Sequence, residues 1–98
     1  MTRYFHRTTV ASAAAIRLSG FRDGQGHYLT ENLHTGVWLS DQPLDANEGA
    51  YGEVLFAVEA PQKEIERFEW IEEGKGFREF LVPAAILNRC ATVTTLEE

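Results

Sequence analysis

The sequence predicts an α+β domain with a small mixed or antiparallel β core and one N-terminal helix. Three observations predict it. Alternating or apolar runs recur at 3–8, 36–40, 53–59, 77–82 and 91–95, two of them ended by Pro61 and Pro83, which is strand patterning. One early stretch, 10–19, reads as a helix. The order also lacks the regular strand–helix alternation of a doubly wound sheet. With 98 residues, the chain has room for a single domain spanning 1–98.

In the first strand, 3–8, alternation puts Tyr4, His6 and Thr8 on one face. Thr8, Thr9 or Ser12 caps the helix that follows, and Gly20 stops it. Its apolar side takes Val10, Ala13, Ala14 and Ile16. Residues 22–35 are polar and glycine-containing, a loop with a short strand that carries Tyr28 and His34. The strand at 36–40 leads into loop chemistry from Asp41 to Gly52. Residues 53–59 form the clearest buried strand, ended by Pro61. The stretch 64–72 fits either period. Glu66, Phe68 and Trp70 alternate as a strand would, whereas Ile65, Phe68 and Ile71 align on a helix. A strand is favoured because Gly74-Lys75-Gly76 reads as a turn into the strand at 77–82. Pro83 ends that strand, 84–88 makes one helical turn, and 91–95 is a last strand.

Composition narrows the function. Hydrophobic residues make up 44% and charged residues 24%, so a packed core is expected rather than disorder. The net charge is −6, yet residues 1–22 hold Arg3, Arg7, Arg17 and Arg22 and no acid. The acidic remainder is a poor surface for a nucleic-acid backbone. The basic first quarter suits a small phosphorylated ligand or is simply solvated. The single cysteine, Cys90, forms no internal disulfide. The start has no signal-peptide core, and no apolar run is long enough for a membrane helix. A cytoplasmic protein without membrane contact is expected.

Familiar motifs of catalysis are absent. His6, His27 and His34 match no zinc spacing, so no metal is expected. Gly24-Gln25-Gly26 lacks the third glycine and the following helix of a dinucleotide fingerprint. No nucleophile elbow supports a serine triad.

Three strands read together are more informative. The first, Tyr4-Phe5-His6-Arg7-Thr8-Thr9, resembles the histidine strand of the ADP-ribosyltransferases, with Ala14, Ile16, Gly20 and Phe21 resembling that family's helix and its exit. The second, Gly36-Val37-Trp38-Leu39-Ser40-Asp41, resembles the family's Gly-aliphatic-Tyr strand, with Trp38 at the tyrosine position. The third, Phe77-Arg78-Glu79-Phe80-Leu81-Val82-Pro83 with Ile86 following, resembles the glutamate strand of the poly(ADP-ribose) polymerase branch. Gly52-Glu53-Val54-Leu55 resembles the central apolar strand. The match spans residues 4–87 in the order His, aromatic, Glu.

The resemblance implies an NAD-dependent transferase that moves ADP-ribose to an acceptor. His6 would hydrogen-bond the adenosine ribose and the Arg7 backbone would hold the nicotinamide amide. Thr8 and Ser40 would complete the cofactor-binding strands. Trp38 would stack on the nicotinamide ring. Glu79 would bind the nicotinamide ribose and stabilise positive charge as the glycosidic bond breaks. Glu79 and His6 are thus the catalytic candidates. Tyr51, or Tyr28, would add a second aromatic wall or anchor a loop. Arg7 stands where the family has glycine, so its side chain must point away from the cofactor. Phe77 stands two residues before Glu79, so the paired-glutamate signature of arginine-modifying toxins is missing.

Each position also has a plainer account: a core histidine, a core tryptophan, a solvated glutamate. The resemblance therefore leaves two readings. One is an enzyme whose His6, Trp38 and Glu79 converge on one NAD cleft. The other is a non-catalytic module of the same fold that binds NAD, ADP-ribose or a protein partner, with the acidic stretch Glu64–Glu73 as a partner surface.

Overall fold

The computed structural model describes residues 1–27, 33–44, 52–74 and 76–96. Six strands run in the order β5-β6-β3-β1-β4-β7, with β2 pairing β3. Their bounds are β1 (Thr2–Thr8), β2 (Gly24–His27), β3 (Leu33–Ser40), β4 (Val54–Ala60), β5 (Glu69–Trp70), β6 (Glu79–Val82) and β7 (Thr92–Leu96). Every described pairing is antiparallel.

β1 lies at the middle of the sheet, and its two sides are held differently. It pairs β4 along its whole length, from Thr2 opposite Ala60 to Thr8 opposite Val54. Towards β3 the register is one pair, Phe5 with Ser40. Beyond that pair the two strands part.

Alternation gives the sheet a core face and an outer face. Tyr4, Val37, Leu39, Phe56, Val58, Phe80 and Val82 point inward, where they pack with Ala13, Ile65 and Leu87 from the helices. Tyr4 and Phe80 meet edge to face, with centroids 5.2 Å apart. The intervening positions, including Phe5, Arg7, Trp38, Ser40, Trp70, Glu79 and Leu81, share the opposite face by register.

The first helix, α1 (Val10–Ser19), is capped by Thr9, whose side chain accepts from the Ser12 N–H at 3.1 Å. It ends at Gly20, which adopts φ 85° and sends its N–H to the Ile16 carbonyl at 2.8 Å. The left-handed conformation is what favours glycine there. The inward face is narrower than the sequence suggests. Ala13 is buried and Ile16 partly so, while Val10, Ala14 and Leu18 lie exposed.

The expectation of a single helix is corrected, because the described residues hold three. Both additional helices follow a proline: α2 (Gln62–Glu66) after Pro61 and α3 (Ala84–Cys90) after Pro83. Each proline ends a strand and presets an extended entry into the helix. Helix α3 runs two residues past the single turn expected at 84–88. Its Ala84 N–H donates to Asp23 Oδ1 at 2.8 Å, a cap supplied from 61 residues earlier in the chain.

The strand expected across 64–72 is also corrected. Its first part is α2, a turn follows, and only Glu69–Trp70 remain as strand. Tertiary burial decides between the two periods. Ile65 is fully buried among core residues, whereas Ile71 is 85% exposed. The hairpin itself is present: Trp70 faces Glu79 and Glu69 faces Phe80. Within the expected Gly74-Lys75-Gly76 turn, Lys75 lies outside the described residues.

Arg78 ties the start of β6 to both neighbours. Its guanidinium grips Glu69 through Nε at 2.9 Å and Nη2 at 2.7 Å, a forked pairing suited to a carboxylate. This bond holds the Glu69 carboxyl below its usual pKa. Arg78 N–H donates to Asp41 Oδ1, and Asp41 N–H donates to the Arg78 carbonyl. No helix among the described residues is long and apolar enough to cross a membrane.

The two isoleucines separate the helix from the strand it replaced. Ile65→Ala should cost about 2–5 kcal/mol, the range for truncating a buried aliphatic. Ile71→Ala should change stability by less than about 0.5 kcal/mol. Chemical denaturation of both variants checks this, and the strand reading would give equal losses.

Candidate functional site

Where β1 and β3 part, a cavity of about 390 Å³ lies beside α1. This is within the range of small-molecule sites. His6 and Thr8 contribute from β1, Gly36, Val37 and Trp38 from β3, and Ser12, Ala15 and Ile16 from α1. Gly20, Phe21, Arg22 and Gly24 complete the lining.

His6 is oriented by the strand it would otherwise pair with. Its Nδ1 lies 2.7 Å from the Trp38 carbonyl oxygen. A carbonyl can only accept, so Nδ1 carries the proton and donates. In the neutral ring Nε2 then bears the lone pair. Burial pushes the imidazole pKa below its ordinary value, against the bond to Trp38, which works the other way. The ring is thus neutral near pH 7 and presents an acceptor, which suits a ligand hydroxyl.

The Phe21 ring meets His6 edge to face at 5.6 Å. Asn88 of α3 holds Phe21 in place. Its Oδ1 accepts from the Phe21 N–H at 2.8 Å, and its Nδ2 donates to the Phe21 carbonyl at 2.9 Å. Nothing in the sequence pointed to Asn88 or Phe21 as supports of the histidine. Their pairing spans 67 residues, which no local pattern can report.

The Arg7 side chain points away from the cavity, as its place in the strand requires. Nε donates to the Leu44 carbonyl at 2.6 Å and Nη1 to the Gly52 carbonyl at 3.3 Å. Gly52 (φ 124°) approaches β1 so closely that a Cβ would lie 2.1 Å from the Thr8 carbonyl oxygen. Only glycine fits there.

The remaining candidates are distributed as follows. Thr8 lines the cavity with His6 and Trp38. Ser40 is buried, and its hydroxyl donates to the Gln42 carbonyl at 2.7 Å with the Phe5 carbonyl at 3.5 Å. That bonding serves the closed end of the split rather than the cavity. Glu79 is not among the residues lining this cavity. It faces Ser40 across β3 and Trp70 across β5, on the same sheet face as Trp38 and the opposite face from His6. The expected three-way convergence of side chains is therefore not found: Trp38 meets His6 through its backbone carbonyl, while its indole and Glu79 share the opposite sheet face. Tyr51 and Tyr28 lie outside the described residues.

The basic cluster of the first quarter is dispersed. Arg3 pairs with Glu59 at 3.7 Å. Arg17 lies over the Phe56 ring and bonds Thr95 Oγ1. Of the four arginines, only Arg22 lines the cavity. Cys90 is a free thiol packed against the core. No group of three or more His, Cys, Asp or Glu among the described residues could hold a metal ion.

Trp70 is the site-proximal residue that sequence reasoning passed over. It meets Trp38 edge to face, with centroids 5.6 Å apart. Its only sequence signal was a place in an ambiguous stretch. Comparison with family models, curated proteins and solved structures found no match.

The neutral His6 predicts a pH effect. Its folded pKa is lowered, so the unfolded chain binds the proton more readily. Stability is then complete above the ordinary histidine pKa of about 6.5 and falls as pH drops towards the folded value. His6→Gln should flatten this slope in denaturation curves taken across that interval. A nitrogen-detected NMR experiment should show the Nδ1–H tautomer at pH 7.

Proposed function

We propose that the chain binds NAD at the split between β1 and β3 and transfers its ADP-ribose to an acceptor. One observation carries the reading: a neutral histidine at the split, with Nδ1 committed to the Trp38 carbonyl and Nε2 left as an acceptor in a ligand-sized cavity. A ribose hydroxyl is a donor of the right kind. Trp38 gives this cavity its carbonyl, and its indole, on the other sheet face against Trp70, would be the stacking partner for a flat cationic ring. Arg22 at the rim offers charge for a pyrophosphate.

In this reading the glycosidic bond to nicotinamide breaks as positive charge builds on the ribose. Glu79 would stabilise that charge from the Trp38 face of the sheet. The Arg78 grip on β3 and β5 fixes the backbone next to it. Only interactions stronger in the transition state than with bound NAD accelerate the step. The acceptor attacks the same anomeric carbon and completes the transfer.

A second reading follows from the position of Glu79 off the His6 cavity and on the opposite face. A module that holds NAD or ADP-ribose without turnover needs the histidine and the tryptophan but not the carboxylate.

The deciding measurement is mass spectrometry of purified protein with NAD and a panel of acceptors. Free nicotinamide and a mass gain on an acceptor are expected. Glu79→Gln keeps the shape and removes the charge. Nicotinamide release should fall by roughly 100-fold, the scale for losing one preorganised electrostatic group. NAD affinity should change much less. Binding without turnover in the wild type, unaltered by Glu79→Gln, would favour the module.

Arg22→Gln should weaken NAD binding several-fold at low salt and make affinity less salt-dependent. Calorimetry at two ionic strengths checks this, with Arg3→Gln as the control away from the cavity.

A further inference from the structure

We propose that the groove between α1, α3 and β7 is a second binding site, for a small carboxylate with an apolar body. It is distinct from the cavity at the split, and the inference does not depend on what that cavity binds.

The distribution of the arginines points to the charge. The chain has 15 acidic residues against 9 basic ones, so carboxylates are plentiful. Arg3, Arg67, Arg78 and Arg89 each pair with a glutamate. Arg7 holds two backbone carbonyls. Arg17 and Arg22 have no carboxylate partner among the described residues, and each lines a cavity. Arg22 stands at the split. Arg17 stands at the groove, whose volume is about 420 Å³.

The groove has an apolar floor and one polar end. The floor is Phe56 of β4, Leu87 of α3 and Phe21 at the exit of α1. Val93 of β7 carries it to the sheet edge, where that side chain is 36% exposed. The polar end is Arg17 with Thr95. Arg17 lies over the Phe56 ring at 5.4 Å, and its Nε and Nη2 both donate to Thr95 Oγ1, at 3.3 and 3.0 Å. Thr95 is the register partner of Phe56, so alternation turns both side chains to the same face. Among the described residues nothing accepts from Arg17 Nη1 or from the Thr95 hydroxyl. A hydroxyl that accepts from a guanidinium still has its own proton to give. The pair therefore presents donors, and no acid answers them.

These features select the ligand class. Arginine N–H bonds to an ionised oxygen are the strong kind, and a guanidinium edge matches a carboxylate. One cation suits one negative charge. A phosphorylated sugar would set unpartnered polar groups against Phe56 and Leu87. An aryl or alkyl body instead removes that surface from water. Stacking on Phe56 accounts for where Arg17 sits, but not for an open groove beside it.

The test titrates the full chain at pH 7 with 3-phenylpropanoate and, separately, with the neutral 3-phenylpropan-1-ol. Binding is read from amide and arginine Nε–H resonances in nitrogen-labelled protein. The two cavities share Ile16, Gly20 and Phe21, so the reporters are residues that line one alone. With the carboxylate, Arg17 Nε–H and the Ala91, Val93 and Thr95 amides should move, while Gly24 and Gly36 stay still. The carboxylate should bind roughly two- to fivefold more tightly than the alcohol, the scale of an exposed ion pair. Arg17→Gln should bring that ratio close to one, and Arg22→Gln should leave it unchanged. Equal wild-type affinities, or a preference that survives Arg17→Gln, would overturn the inference. So would wild-type shifts confined to Gly24 and Gly36, or no shifts at all, and neither result depends on how the variants fold.

Discussion

The arrangement of this fold depends on the single register pair between β1 and β3. Phe5 and Ser40 hold the two halves of the sheet together, and the buried Ser40 hydroxyl turns the chain at that point by donating to the Gln42 carbonyl. Past this pair the strands separate. A central strand that leaves its neighbour must find other uses for its polar groups. The Trp38 carbonyl is met by the His6 ring instead of a strand amide. A break in strand pairing thus becomes a cavity with an oriented imidazole in it. On the other side β1 stays paired with β4 along its whole length.

The supports of the histidine come from distant parts of the chain and have a common logic. After Gly20 ends α1, the backbone at Phe21 is held by both ends of one amide, Asn88, while Asp23 caps the helix that carries Asn88. Helix α3 and the exit of α1 therefore fix each other, and the Phe21 ring is brought against His6. Arg78 does the comparable task at the other end of the sheet, joining β5, β6 and the end of β3 through its guanidinium and its backbone.

Much of this was readable where one local signal was sufficient. The alternation in 3–8, the Gly20 stop and the apolar run before Pro61 all correspond to described elements. The readings failed where local signals conflicted. In 64–72 two periods coexist, and the burial of Ile65 under the sheet selects the helix after Pro61. Pro61 and Pro83 were read as strand ends, and they are also helix entries. The alternation in 3–8 put His6 and Thr8 on one face, and both line the cavity. Trp70, Phe21 and Asn88 were not legible, because their importance comes from contacts across the sheet. The four arginines show the reverse error. Sequence proximity suggested a cluster, but strand alternation and helix geometry send them to different surfaces.

Arg7 has a consequence for how the molecule can vary. Its guanidinium holds the carbonyls of Leu44 and Gly52, the residues on either side of 45–51. Both ends of that segment are thus anchored to β1 by one side chain, and Gly52 is pressed against the strand besides. One side chain thus sets the spacing of Leu44 and Gly52 against β1, so losing Arg7 would release both carbonyls at once, one residue along the strand from the histidine.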